Sequence, residues 1–213
     1  MEIKSAIFDM DGTLLDSMYI WESIGKRCFI HFGAKPMDDM ENRIKVMSIN
    51  DFAVYFIREY NIKSSVKEIE NFVVEAAADF YINKAKIKDG VLPLLEYYKQ
   101  KNVKMCVATA SDKALAQAAL KRNGVLDFFE FVTTCDECGC NKNTPDIFEY
   151  SMQRLGGSKD STVVFEDALH AVLTAKSGGF TVYAVAEESA AEDEAEIIKA
   201  ADKFMDKLSE AIQ

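Results

Sequence analysis

Residues 3–13 read IKSAIFDMDGT, a short apolar run rich in β-formers that stops at two aspartates separated by one residue. Such a run is typical of a buried strand whose end carries polar side chains into a loop. Asp9 and Asp11 project from the same side of an extended segment, because successive side chains alternate. Two carboxylates that close repel each other unless a cation or a shared proton relieves them. The stretch therefore predicts the first strand of a sheet with a carboxylate pair at its end.

The chain beyond residue 89 alternates between helix-like and strand-like segments. Strands are predicted over residues 103–109, 129–134, 162–167 and 180–185, with a short edge strand near residues 203–205. A repeated β–α–β order with Val-, Phe- and Ile-rich strands is typical of a parallel sheet covered by helices on both faces. We therefore expect an α/β fold with a Rossmann-like, three-layer α/β/α core.

The segment that follows the first aspartates has a different pattern. Its apolar residues recur at spacings of three and four, as in amphipathic helices, and it contains no convincing strand. We predict that residues 16–86 form an all-helical cap domain. The cap is inserted into a core domain made of residues 1–15 and 87–213.

The composition excludes several classes of protein. The 213 residues are 49% hydrophobic and 28% charged, which excludes a disordered or fibrous chain. The net charge of −10 argues against nucleic acid as a partner, because a nucleic-acid binder needs a basic surface. No run of about 18–20 apolar residues is present, which argues against a membrane partner. The first residues also lack the pattern of a secretory leader, so we expect a cytoplasmic protein. Nothing in the sequence determines the oligomeric state, and a monomer is favoured.

The five cysteines also bear on the compartment. An odd number in a chain of this size fits a reducing compartment better than a disulfide framework. Cys135, Cys138 and Cys140 lie close enough in sequence to share a zinc or another soft metal ion. A fourth ligand is missing nearby, so reduced thiols on an ordinary loop are the favoured interpretation.

Polar residues follow the predicted strands, where the ligands of an open parallel sheet collect. They are Asp9, Asp11, Thr109, Ser111, Lys142, Glu166 and Asp167, with Ala110 between Thr109 and Ser111 in the same loop. Asp9, Asp11 and Asp167 form an oxygen-rich set suited to a hard cation such as Mg²⁺. Lys142 and the Thr109 hydroxyl are suited to the oxygens of a transferring phosphoryl group. These residues predict a metal-dependent site for a phosphate ester.

Four stretches, in this order, resemble the four motifs of the haloacid dehalogenase superfamily of phosphotransferases. They are FDMDGTLLDS at residues 8–17, VATAS at 107–111, KNTPDIF at 142–148 and FEDALHAVLTAKSGG at 165–179. The third and fourth are similar to the branch that includes β-phosphoglucomutase and many sugar-phosphate phosphatases. The resemblance covers nearly the whole chain, and it implies a helical cap between the first and second motifs.

The resemblance also implies roles for individual residues. Asp9 is expected to be the nucleophile that becomes an aspartyl-phosphate, and Asp11 the general acid and then the general base. Mg²⁺ is expected to be held by Asp9, the carbonyl of Asp11 and Asp167. Glu166 is expected to act on the metal through water or as a supporting group. The phosphoryl group is expected to be bound by Thr109, Ala110, Ser111 and Lys142.

Three positions and one stretch of sequence indicate which reaction of the superfamily is favoured. Dehalogenase members lack an acid at the second aspartate, so Asp11 favours phosphoryl transfer. β-Phosphoglucomutase carries a cap histidine and a cap arginine, whereas Trp21 stands near the histidine's place and residues 41–52 hold no GxxR-like stretch. Asp112 stands where the mutase has a basic residue, and a carboxylate there opposes a second phosphate.

The favoured function is therefore Mg²⁺-dependent hydrolysis of a small phosphate monoester, such as a sugar phosphate or a similar metabolite. Two alternatives stay open. One is a sugar-phosphate mutase, in which the phospho-enzyme passes its group to a bound sugar. The other is a non-catalytic protein that binds metal or senses redox state through its cysteine loop.

Overall fold

The structure is a computed structural model that describes residues 2–35 and 47–212. Its strands are β1 (Ser5–Phe8), β2 (Leu15–Asp16), β3 (Lys86–Ile87), β4 (Lys104–Thr109), β5 (Val132–Thr134), β6 (Thr162–Glu166), β7 (Thr181–Val185) and β8 (Lys203–Met205). Six of them form one parallel sheet in the order β5-β4-β1-β6-β7-β8. The predicted parallel α/β core is confirmed.

The helices lie between these strands in the sequence. They are α1 (Met18–His31), α2 (Ile49–Tyr60), α3 (Val66–Asn83), α4 (Val91–Gln100), α5 (Lys113–Arg122), α6 (Cys135–Cys138), α7 (Asp146–Leu155), α8 (Leu169–Ser177) and α9 (Glu194–Ala200). Short 3₁₀ turns cover Leu126–Phe128, Lys159–Ser161, Glu188–Asp193 and Leu208–Ala211. In the described residues, no helix is both long enough and apolar enough to span a bilayer.

Two details differ from the prediction. β5 begins later than expected, because the preceding residues Leu126–Phe128 close into a 3₁₀ turn. Residues Cys135–Cys138 form a single helical turn where an irregular loop was expected. The Thr134 side chain caps that turn by accepting a hydrogen bond from the backbone N–H of Glu137 at 3.1 Å.

Successive residues of the central strands point to opposite faces of the sheet. Phe8 and Val107 pack into one hydrophobic cluster, which includes side chains of α1 to α5. Ile7 and Cys106 pack into a second cluster, with side chains of α7, α8 and α9. Helices therefore cover both faces, as expected for a three-layer core.

The strand order indicates where a ligand would bind at the edge of the sheet. β1 pairs with β4 on one side and with β6 on the other, so the chain changes direction across the sheet at β1. Phe8 is level with Val107 and with Phe165 in the two ladders. The residues that follow these strands therefore meet in the crevice where open α/β sheets bind ligands.

The chain leaves and re-enters the core through two short strands that the sequence did not predict. β2 and β3 pair antiparallel, with Leu15 opposite Ile87, at the expected limits of the helical segment. Their two-residue length explains why no pattern revealed them. Asn123, at the end of α5, fixes the returning chain by donating to the Ala85 carbonyl at 2.9 Å and accepting from the Ile87 N–H at 3.3 Å. The division into cap and core domains remains a prediction.

Candidate active site

Three buried carboxylates meet at the ends of β1 and β6. Asp9 directly follows β1, Glu166 ends β6, and Asp167 comes next. One carboxylate oxygen from each lies within 4.8 Å of the others. Lys142 donates a hydrogen bond to Asp9 Oδ1 and another, of 2.6 Å, to Glu166 Oε1. The structure thus brings together four of the residues that the sequence analysis named.

Burial and mutual repulsion set the electrostatics of this cluster. Burial, followed by the charges of Asp9 and Glu166, raises the pKa of Asp167 well above its usual range. Burial also raises the pKa of Glu166, and the charge of Lys142 opposes part of that shift. Burial alone would lower the pKa of Lys142, but the two carboxylates outweigh it and the net shift is upward. A single ammonium group therefore faces three buried carboxyl groups.

The donor set fits a hard divalent cation. Asp9 Oδ2 is buried and has no hydrogen-bond partner, although its neighbour Oδ1 accepts from Lys142. An unpartnered buried carboxylate oxygen is costly, and a cation would compensate it. The available ligands are carboxylate oxygens, which Mg²⁺ prefers over nitrogen or sulfur. Asp9, Glu166 and Asp167 form the one group of potential metal ligands within residues 2–35 and 47–212.

Asp11 occupies a different environment, among hydroxyl groups. Its Oδ1 accepts hydrogen bonds from Ser17 Oγ at 2.6 Å and from the Tyr81 hydroxyl at 2.5 Å. Its Oδ2 accepts from Ser111 Oγ at 2.6 Å. Burial raises the pKa of Asp11, and these three hydrogen bonds oppose the shift. A carboxyl group whose pKa is raised is suited to general acid catalysis near neutral pH.

The expected phosphate-binding residues lie beside this carboxyl group. Thr109 ends β4, Ala110 and Ser111 follow it, and all three line the same cavity as Lys142. The Ser111 N–H donates to Thr109 Oγ1 at 3.0 Å, which fixes the bend of this loop. Asp112 does not line the cavity. Its carboxylate caps α5 by accepting from the Leu115 N–H at 3.0 Å, so the expectation that it opposes a second phosphate is not supported.

A cavity of about 550 Å³ lies over these residues. Its lining also includes a set of apolar side chains and several polar ones. The apolar ones are Trp21, Ile24, Cys28, Met47, Ile49, Phe52 and Val73, and the polar ones include Asp16, Ser48, Glu187 and Glu188. His170 also lines it, although the sequence placed this histidine in no functional role. Burial, together with the charge of Lys142, lowers the pKa of His170 to about 4. The imidazole is therefore neutral near pH 7.

Lys88 holds the loop that carries the aspartates, and no sequence pattern indicated this role. Its Nζ donates to the Gly12 carbonyl at 2.7 Å and to the Ala186 carbonyl at 2.8 Å, and it pairs with Glu187 at 2.7 Å. Three segments distant in sequence are joined by this one ammonium group. A half-buried lysine that is bonded to several partners fixes the geometry of the loop in this way.

Gly12 is required by its surroundings. Its φ is +86°, and a Cβ built on it would lie 2.3 Å from Asp167 Oδ2. Gly12→Ala is therefore expected to displace Asp167, to lower stability by about 1–3 kcal/mol and to lower hydrolytic activity at least about tenfold. Steady-state kinetics and urea unfolding measure the two effects.

Gly124→Ala is the matched control for that prediction. Gly124 has a φ of +70°, but a Cβ there would meet no atom within 4 Å. It should show the backbone cost without the loss of activity. Equal activity in the two variants would mean that the close approach of Gly12 to Asp167 does not matter for function.

The cysteine loop differs from expectation. Cys138 and Cys140 are joined by a disulfide, so the prediction of reduced thiols is wrong for these two residues. Cys135 is a buried free thiol whose pKa burial raises to about 11. These sulfur atoms belong to no cluster of potential metal ligands among the described residues, which gives the zinc alternative no support.

Comparisons with known proteins show which family and which relatives this chain resembles. A family model for haloacid dehalogenase-like hydrolases matches residues 6–185. The chain is 27% identical to a phosphorylated carbohydrates phosphatase of Thermotoga maritima, over 83% of this chain and 82% of the relative. It is 28% identical to a fructose-1-phosphate phosphatase of Escherichia coli, over 81% of this chain and 91% of the relative.

Solved structures share the fold. The crystal structure of β-phosphoglucomutase from Clostridium difficile superposes with a TM-score of 0.81 at 22% identity, over 98% of this chain and 93% of that one. This likeness concerns the fold alone. Because the family model spans most of the sequence, from β1 to β7, the protein belongs to the haloacid dehalogenase-like hydrolase family.

Proposed function

We propose that this protein is a Mg²⁺-dependent phosphatase that hydrolyses a small phosphate monoester through an aspartyl-phosphate on Asp9. The observation that carries the proposal is the environment of Asp9. Its carboxylate lines the cavity, is held by Lys142 through one oxygen, and has its other oxygen buried without a partner. Lys142 therefore orients the carboxylate of Asp9 and neutralises only part of its negative charge. The phosphatases among the relatives support the same reaction.

Asp9 and Asp11 divide the chemistry between them. A carboxylate oxygen of Asp9 attacks phosphorus, the bond to the leaving oxygen breaks, and that oxygen takes the proton of Asp11. Asp11 then takes a proton from a water molecule that attacks the phosphorus, which releases inorganic phosphate and regenerates Asp9. Lys142 and the Thr109–Ser111 loop face the phosphoryl oxygens, whose charge is best stabilised by preorganised donors.

The metal is proposed on the fit of the residues. Asp9, Asp167 and the Asp11 carbonyl would hold Mg²⁺, while Glu166, whose Oε1 already accepts from Lys142, would support the site. When bound, Mg²⁺ supplies positive charge that offsets the buried carboxylates and the phosphoryl group.

The cavity supports a substrate with one phosphoryl group. Lys142 is the one lysine or arginine side chain among the described lining residues, and His170 is neutral there. The lining also contains apolar side chains, Trp21 and Phe52 among them. A compact leaving group with an apolar face would complement these side chains. The relatives that act on sugar phosphates make a sugar monophosphate the first candidate.

A sugar-phosphate mutase is the competing reaction. Trp21 lines the cavity and stands near the place where the mutase has its cap histidine. The lack of that histidine argues against a mutase. Residues 41–46, part of the stretch without a GxxR pattern, lie outside the described residues. The mutase predicts interconversion of hexose 1- and 6-phosphates that depends on a bisphosphate primer.

A panel of phosphate esters tests the proposal. Purified protein is incubated with sugar phosphates, nucleotides, phosphoglycolate and p-nitrophenyl phosphate, with Mg²⁺ or with EDTA. We expect phosphate release in the presence of Mg²⁺ and its loss with EDTA. If no ester releases phosphate, the phosphatase proposal fails. Primer-dependent interconversion without net release would favour the mutase instead.

A further inference from the structure

We propose that Tyr81 is a positioning residue for this reaction: from helix α3, its hydroxyl group holds the carboxyl group of Asp11 in the orientation that protonates the leaving oxygen. The inference rests on the proposed function. Tyr81 is fully buried, and its hydroxyl donates to Asp11 Oδ1 at 2.5 Å. The contact joins residues 70 positions apart in the sequence, one from the helical segment and one from the core.

The two carboxylate oxygens of Asp11 accept hydrogen bonds from different donors and have different roles. Ser17 and Tyr81 both donate to Oδ1, and neither residue lines the cavity. Ser111 donates to Oδ2 and does line the cavity. Oδ1 is therefore anchored behind the cavity wall, whereas Oδ2 is on the side that faces a substrate. Fixing Oδ1 sets the plane of the carboxyl group and hence the direction of Oδ2.

The tyrosine ring is itself held firmly. Its centroid lies 6.1 Å from the Trp21 ring and 5.5 Å from the Phe80 ring. Helix α3, which carries it, packs against α5 of the core. Burial, followed by the negative charge of Asp11, raises the pKa of Tyr81 well above its usual value, so the hydroxyl stays protonated and acts as a donor. Because the Tyr81 hydroxyl donates to Asp11 and the side chain does not line the cavity, Tyr81 acts on the reaction through Asp11 and not by touching the substrate.

Leaving groups that differ in their need for a proton test this role. Tyr81→Phe keeps the ring and removes the donor. The measured quantity is kcat/KM, which reports the steps up to departure of the leaving group and not the later hydrolysis of the phospho-enzyme, in which Asp11 also acts. For fructose 1-phosphate, whose alkoxide must be protonated as it leaves, kcat/KM is expected to fall about 10- to 100-fold. For p-nitrophenyl phosphate, whose leaving oxygen needs little protonation, kcat/KM is expected to change less than about threefold.

Three further variants sharpen the result. Tyr55→Phe removes another buried hydroxyl from the same helical segment, one that has no hydrogen-bond partner, and it should leave both rates unchanged. Asp11→Asn should show the same leaving-group dependence, more strongly. In the Asp11→Asn background, Tyr81→Phe should cause no further loss, because the two side chains act as one unit.

Two results would overturn the inference. Equal losses of kcat/KM on both esters would mean that Tyr81 only supports the fold. A full additional loss in the Asp11→Asn background would mean that Tyr81 acts elsewhere. Failure of the wild-type protein to hydrolyse either ester with Mg²⁺ is a distinct outcome, which overturns the proposed function and the role of Tyr81 with it.

Discussion

Asp9→Asn is expected to lower kcat for phosphate release by about 10⁴-fold or more, the scale of loss when a catalytic nucleophile is removed. The amide is a poor nucleophile, so the covalent route is closed although the shape of the side chain is kept. Steady-state phosphate release with Mg²⁺ measures the rate. Acid quenching during turnover of a ³²P-labelled ester should trap label on the wild-type protein and none on the variant.

Controls separate this effect from damage to the fold. Asp127→Asn makes the same chemical change at an exposed position and should leave kcat unchanged. Asp9→Ala should be as inactive as Asp9→Asn, which excludes activity restored by deamidation. If Asp9→Asn keeps about a tenth or more of the wild-type kcat, another residue is the nucleophile.

The residues at the strand ends were predictable because topology alone brings them together. A parallel sheet directs the carboxyl ends of its strands to one edge, so a polar residue after each strand becomes part of one site. Asp9, Lys142, Glu166 and Asp167 satisfy that rule, and the structure places them within contact of one another. No coordinates were needed to anticipate this convergence.

Tyr81 and Lys88 were not predictable, and the reasons differ. Tyr81 lies on the buried stripe of α3 together with Ile69, Val73 and Phe80, and periodicity reports only that such a residue is buried. It does not report where a hydroxyl at the tip of the ring finds its acceptor. Lys88 is one of several lysines close to β3, where the chain returns to the core. The pairing of β2 with β3 decides which of these lysines points toward the protein interior.

The disulfide illustrates a further limit of sequence patterns. Two cysteines separated by one residue meet only if the backbone folds back between them. Gly139, with a φ of +65°, makes that reversal at the end of α6. The amino-acid composition and the expected compartment could not predict this disulfide, because they are properties of the whole chain and not of a single turn.

Lys142→Met is expected to destabilise the metal-free protein by about 3–5 kcal/mol, the cost of removing one partner from a buried ion pair. Methionine nearly fills the space of the lysine but leaves Asp9 and Glu166 without a cation. Because Lys142 lowers the pKa of both Glu166 and Asp167, its loss raises these values further. Acids with a raised pKa in the folded state lose stability as pH rises above their unfolded pKa of about 4, so the loss should be larger at pH 8 than at pH 5.

Urea unfolding in EDTA at the two pH values measures this loss, and added Mg²⁺ should reduce it because the cation replaces part of the missing charge. Lys113→Met is the matched control. Lys113 pairs with Glu137 at 2.8 Å on the surface, so its loss should cost less than about 1 kcal/mol and should depend on neither pH nor Mg²⁺. If the two variants behaved alike, the charge of Lys142 would not be balancing the buried carboxylates. The proposed cation would then lose its electrostatic rationale, since both rest on the same excess of negative charge.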